Sequence, residues 1–133
     1  MRCLVVDDDT FGREILTCFL AEHSEVVDNA QDGAEAVRLF NQALQDGRPY
    51  HFICLDILMP VMNGQEALKQ MRALEREVFL GKNQEAIIIM TTALSSLDEI
   101  QKAIWQGDCN NYLVKPISQA DLVALLKKYN LIP

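Results

Sequence analysis

No stretch of the sequence approaches the 18 apolar residues of a membrane-spanning helix, so a helical span is excluded. The first apolar stretch, Cys3 to Val6, meets aspartates at positions 7 to 9 and is too short for the hydrophobic region of a secretory signal. A cytoplasmic protein without membrane contact is expected. A basic run is missing too: 12 Lys and Arg stand against 19 Asp and Glu, giving a net charge of −7 and a pI near 4.7. Nucleic acids and anionic membranes are bound by clustered Lys and Arg that displace counterions, so neither is an expected direct ligand. The four cysteines, Cys3, Cys18, Cys54 and Cys109, contain no CxxC pair, and His23 and His51 do not fall at zinc-ligand spacing. A disulfide framework or zinc site is therefore not expected. Cys3 and Cys54 sit in apolar runs and Cys18 on an apolar helical stripe, which reads as buried, reduced thiols. Internal repeats and low-complexity tracts are also missing.

The chain has 133 residues, half of them hydrophobic and 23% charged. That is one globular domain, residues 1–133, able to bury about two thirds of its unfolded surface. Branched apolar residues are too plentiful for a disordered chain. The acidic balance points to a cation or a protein as partner.

Five short apolar runs with β-branched content predict strands: Cys3 to Val6, Glu25 to Asp28, Phe52 to Leu55, Ala86 to Met90 and Asn111 to Val114. Between them, apolar residues recur at helical spacing: Phe11, Ile15, Cys18, Phe19; Ala36, Val37, Phe40, Leu44; Leu68, Met71, Leu74, Val78; Leu97, Ile100, Ile104; and Leu122, Leu125, Leu126, Tyr129. Asp32, Asn63 and Ser118 each precede an acidic residue by three positions, the pattern of a helix start. Residues Gln45 to His51 and Val78 to Glu85 read as surface loops. Strict alternation predicts right-handed crossovers and a five-stranded parallel sheet covered on both faces, a three-layer, doubly wound (βα)5 domain.

In such a sheet, ligands bind beyond the carboxyl ends of the strands. Asp7 and Asp8 follow the first run, Asp56 the third, Thr91 and Thr92 the fourth, and Lys115 with Pro116 the fifth. Asp9 and Thr10 are read as helix-capping residues. Three carboxylates on one sheet edge resist common ionisation unless a counter-ion is present. Carboxylate, carbonyl and water oxygens suit Mg2+ (or Mn2+), which commonly works beside a phosphoryl group. Three carboxylates, a divalent cation and the Lys115 ammonium balance to zero, which leaves room for an incoming anion.

The stretches Leu-Val-Val-Asp-Asp-Asp at 4 to 9, Leu-Asp-Ile-Leu-Met-Pro-Val-Met-Asn-Gly at 55 to 64, Met-Thr-Thr-Ala at 90 to 93 and Tyr-Leu-Val-Lys-Pro at 112 to 116 occur in this order and spacing. With them the chain resembles, almost end to end, a response-regulator receiver domain of the CheY-like family in two-component signalling. The resemblance implies strand order 2-1-3-4-5, with Asp56 as phospho-acceptor and Mg2+ held by Asp8, Asp56 and the Leu58 carbonyl, Asp7 acting through a bound water. It implies phosphoryl contacts from Thr92, Lys115 and the backbone N–H groups of Ile57 and Ala93, a switch through Thr92 and Tyr112, and a cis peptide at Pro116. The implied donor is a phosphohistidine of a sensor histidine kinase or histidine phosphotransfer domain. The implied output is control of a downstream protein or attached effector domain through the face between residues 92 and 129. Such a chain is a signalling receiver that catalyses its own phosphorylation and dephosphorylation rather than a conventional enzyme. The long third helix and its loop, with the charged stretch Arg72 to Glu77, resemble receivers attached to hybrid kinases. Ile57 and Leu94 are apolar where a hydrolytic water would need positioning, so slow self-dephosphorylation is expected.

Three rivals share parts of this pattern. A haloacid-dehalogenase-type phosphotransferase needs a DxDx[TV] motif, which Phe11 breaks after Asp7 and Asp9. A flavodoxin-type carrier needs a Gly- and Ser/Thr-rich phosphate loop where this chain has carboxylates. A receiver-shaped interaction module that is never phosphorylated would not need the full set of site residues.

Overall fold

The apolar runs become strands in a computed structural model, which describes residues 1–57, 59, 61–78, 85–92, 98, 101 and 108–133. Strands β1 (Arg2–Val6), β2 (Val26–Ala30), β3 (Phe52–Asp56), β4 (Ile87–Thr92) and β5 (Asn111–Val114) form one sheet in the order β2-β1-β3-β4-β5, with every neighbouring pair parallel. Helices α1 (Thr10–Ala21), α2 (Gly33–Gln45), α3 (Gly64–Val78) and α4 (Gln119–Lys128) are described between and after them. The expected helical residues Leu97, Ile100 and Ile104, and positions 79–84 of the expected loop, lie outside the described residues. No helix among the described residues is long and apolar enough to cross a membrane.

Side chains along a strand alternate between the two faces of the sheet, so each strand supplies two packing layers. Leu4, Val6, Ile53, Leu55, Ile88 and Met90 pack with Phe40 of α2 and with Leu68 and Met71 of α3. Cys3, Val5, Phe52, Cys54 and Ile89 pack with Leu16 and Leu20 of α1 and with Leu122 and Leu126 of α4. The central strand β3 is buried at every position because both of its faces are covered.

Helix starts follow the capping pattern. The side chains of Asp9, Asp32, Asn63 and Ser118 accept from the N–H groups of Gly12, Glu35, Glu66 and Asp121. The orientation of α1 departs from expectation. Leu16 and Leu20 are buried, whereas Phe11 is 69% exposed and Cys18 is exposed, so Cys18 is not the buried thiol its stripe suggested. The Asp9 cap and the approach of Gly12 to the Asp7 carboxylate fix the helix with residues 12, 16 and 20 inward.

On α3 the buried face runs from Leu68 and Met71 to Arg72 and Glu75, and Val78 is exposed. The charged stretch is therefore partly interior. Arg72 and Glu75 satisfy each other and the backbone around them, which makes their burial tolerable. At the opposite end of the sheet from the strand carboxyl termini, the Tyr50 hydroxyl donates to Asp28 at 2.6 Å and ties edge strand β2 to the segment entering β3.

Candidate functional site

Asp7 follows β1 directly, Asp56 ends β3, Thr91 and Thr92 end β4, and Lys115 follows β5. Register brings them to one edge. Val6 pairs with Leu55, Asp56 with Thr91, and Thr92 with Val114. Residues that are remote in sequence thus meet because their strands end at the same level.

Asp7 is 1% exposed and Asp56 5% exposed, while Asp8 is exposed and opens the cluster to solvent. One carboxylate oxygen from each of Asp7, Asp8 and Asp56 can be chosen so that all lie within 4.8 Å of one another. Lys115 Nζ donates to Asp7 Oδ2 at 3.0 Å and lies 3.3 Å from Asp56 Oδ2. The other Asp7 oxygen accepts from the Asp9 N–H at 2.9 Å, and Arg13 Nη1 donates to the Asp7 carbonyl at 2.6 Å. Sequence reasoning missed Arg13; its spacing from Asp7 is ordinary for a solvated helix residue and carried no signal.

Burial is the main reason the Asp56 carboxyl is pushed up to about 6; the Lys115 charge opposes the rise, and the Asp7 and Asp8 charges add to it. Burial alone would lower the Lys115 ammonium. The hydrogen bond to Asp7, together with the Asp56 and Asp7 charges, outweighs burial and holds it above the usual lysine value. The cluster is therefore short of positive charge. Its donor set is carboxylate oxygen alone, which fits a hard divalent cation such as Mg2+ or Mn2+.

Thr92 is buried on the sheet face opposite to Thr91, and Tyr112, 37% exposed, shares that face two register positions away. The Lys115–Pro116 peptide is cis. Leu58, Ala93 and Leu94 lie outside the described residues. The Ile57 N–H, expected at the phosphoryl group, has a backbone partner in this structure. It donates to the Thr91 carbonyl at 3.2 Å, because β3–β4 pairing continues one residue beyond Asp56.

Glycine at 64 is required by close approach. A Cβ there would run into the Asp56 carbonyl oxygen, and the Gly64 N–H donates to the Ile57 carbonyl at 2.8 Å. Helix α3 thus starts against the backbone of Asp56.

Comparison with known proteins gives a consistent result. Residues 3–127 match the model of the response regulator receiver domain family. The chain is 34% identical over 124 residues to the chemotaxis protein CheY of Listeria monocytogenes, covering 92% of each chain. It is 31% identical over 138 residues to the osmolarity two-component system protein SSK1 of Saccharomyces cerevisiae, a match spanning 89% of this chain but only 18% of that protein. The solved CheX–CheY–BeF3–Mg2+ complex from Borrelia burgdorferi superposes with a TM-score of 0.79 at 25% identity, covering 97% of this chain and 89% of that one.

Proposed function

The chain belongs to the response regulator receiver domain family of two-component signalling, and from that premise we propose that it accepts a phosphoryl group on Asp56. The observation that carries this reading is the setting of Asp56: a buried carboxylate at a strand end, beside the Lys115 ammonium and two further carboxylates. The donor is a phosphohistidine on a sensor histidine kinase or a histidine phosphotransfer domain.

Asp8 and Asp56, with the Leu58 carbonyl and Asp7 through water, would hold Mg2+, as the BeF3 and Mg2+ of the Borrelia burgdorferi CheY complex support. Bound there, the cation would neutralise charge on the transferring group. Asp56 attacks phosphorus through one carboxylate oxygen; the N–P bond to the donor imidazole breaks as the O–P bond forms, and the imidazole leaves. Lys115, the Thr92 hydroxyl and the Ala93 N–H bind the phosphoryl oxygens and hold them in place. Ile57 is buried in the core and offers no polar group to a hydrolytic water, which supports a slow return to the free carboxylate.

The new charge is read through Thr92 and Tyr112 by the face between residues 92 and 129, which controls a downstream protein or an attached effector domain in the cytoplasm. Mass spectrometry after incubation with Mg2+ and a small phosphodonor tests the chemistry. One phosphate is expected on the native chain and none on Asp56→Asn. Labelling that persists in Asp56→Asn but is lost in Asp7→Asn would instead identify a haloacid-dehalogenase-type nucleophile. Amide shifts between residues 92 and 129 that stay unchanged on adding Mg2+ and a beryllofluoride mimic would remove that face as the switch.

A further inference from the structure

Arg13 is half-buried in the first turn of α1, and its guanidinium is directed at the chain that precedes the helix. Nη1 donates to the Asp7 carbonyl at 2.6 Å and Nη2 to Thr10 Oγ1 at 3.1 Å, while the Arg13 N–H donates to the Asp9 carbonyl at 3.0 Å. One residue thus holds main chain on both sides of Asp8. Asp7 lies just beyond Val6, the last residue of β1 paired with β2 and β3, so its carbonyl is met by the guanidinium rather than by a neighbouring strand. A charge-assisted bond of this kind is about twice as strong as one between neutral groups.

The Asp7 carbonyl oxygen, the Asp8 nitrogen and the Asp8 Cα belong to one planar peptide unit. Holding that oxygen therefore fixes the plane from which the Asp8 side chain projects. Past Asp8 the chain is fixed again, because the Asp9 N–H donates to Asp7 Oδ1 at 2.9 Å and the Asp9 carboxylate caps α1 through the Gly12 N–H. The three carboxylates of the cluster are not held alike. Both Asp7 oxygens have partners, the Asp9 N–H and Lys115 Nζ, and Asp56 is buried beside the same ammonium. Asp8 is exposed, and its direction follows from the backbone that carries it.

We propose that Arg13 is a positioning residue for the cation site, holding the Asp7–Asp8 peptide so that the Asp8 carboxylate stays aimed at a divalent cation shared with Asp56. The proposal rests on the phospho-acceptor reading given above, in which Asp8 is a direct ligand and Asp7 keeps its own partners and acts through water. Charge and positioning make opposite demands here. A guanidinium near a cation site repels the cation, so by charge alone its removal would tighten binding. By positioning, its removal weakens binding.

Titration of the isotope-labelled full chain with Mg2+, followed through the amide shifts of residues 7 to 9 and 56, tests this on wild type, Arg13→Met and Arg13→Lys. Urea unfolding in chelator is the second measurement. Arg13→Met keeps an aliphatic stem and loses every donor, and is expected to bind Mg2+ about tenfold more weakly, the loss of one charge-assisted hydrogen bond. Arg13→Lys keeps the charge and a donor for the Asp7 carbonyl, and is expected to recover most of that affinity. Arg13→Met that unfolds more readily in chelator but binds Mg2+ like wild type would make Arg13 an anchor of α1 and nothing more, which overturns the proposal. Tighter binding in Arg13→Met overturns it as well, as does binding in Arg13→Lys as weak as in Arg13→Met. Should Arg13→Met not fold, Arg13→Gln takes its place with the same expected loss. A wild type that takes Mg2+ and phosphate on Asp56 while Arg13→Met matches it sinks this inference alone. A wild type that takes neither sinks the parent reading and this inference with it.

Discussion

Arg72 and Glu75, one turn apart on α3, meet at 2.6 Å with both side chains buried. The guanidinium also donates to the Asp108 carbonyl at 2.7 Å, the Ala86 carbonyl at 3.0 Å and Asn110 Oδ1 at 2.9 Å. The second Glu75 oxygen takes the Ala86 N–H at 2.7 Å. Asn110 Oδ1 in turn accepts from the Ile88 N–H. One charged pair thereby fastens α3 to the entry of β4 and to the turn that leads into β5.

A buried pair of this kind is costly to break from one side, because the remaining charge is left without its partner. Arg72→Met is expected to destabilise the chain by about 3–5 kcal/mol in urea unfolding. The double variant Arg72→Met with Glu75→Leu is expected to lose less than the sum of the two single changes, a coupling the double-mutant cycle measures directly. Additive losses would show that the pair acts as two independent anchors.

The carboxylate cluster makes a second prediction, about pH. The Asp56 carboxyl has an ordinary value of 3.8 and is pushed up to about 6 in the fold, chiefly by burial. The folded chain therefore holds this proton more tightly than the unfolded chain, so metal-free stability falls as pH rises through that interval and levels off above it. Near neutral pH, Asp56→Asn in chelator should be more stable than wild type, by on the order of 2 kcal/mol, with the gap closing toward about pH 4. Urea unfolding across that range gives the answer; a gap that widens on acidification would contradict the assigned direction.

Two glycines separate crowding from backbone conformation. At Gly64 a side chain collides with the Asp56 carbonyl, so Gly64→Ala is expected to lose about 3 kcal/mol and to disturb phosphate labelling of Asp56. At Gly47, φ is +70° and nothing lies within 4 Å of an added Cβ, so Gly47→Ala should lose only about 1 kcal/mol and label normally. Unfolding midpoints with parallel labelling distinguish the two.

Strands and helix starts were readable in the sequence because they depend on local signals. Asn111 to Val114 is bounded as expected, and Asp32 and Ser118 cap as their spacing indicates. The site carboxylates were readable because each closes an apolar run. Helix rotation was not: Phe11 and Leu16 are both apolar, and the Asp9 cap with the approach of Gly12 to Asp7 sets which faces inward. Arg72 and Glu75 were read with a charged stretch because a buried ion pair and a solvated one have the same composition. Thr91 and Thr92 are neighbouring hydroxyls in the sequence; which sheet face each takes is something a single strand does not reveal. Strand order came from family resemblance, since nothing in the run pattern specifies which strand lies at the centre.

The seating of Gly64 on the Asp56 backbone has a mechanical consequence. Toward α3, Asp56 meets main chain, since Gly64 sits against its carbonyl. The Asp56 carboxylate, by contrast, meets a side chain, the Lys115 ammonium at 3.3 Å. The backbone of Asp56 is thus clamped while its carboxylate faces a long, rotatable side chain, so a change at the carboxylate is met first by Lys115 and not by the strand.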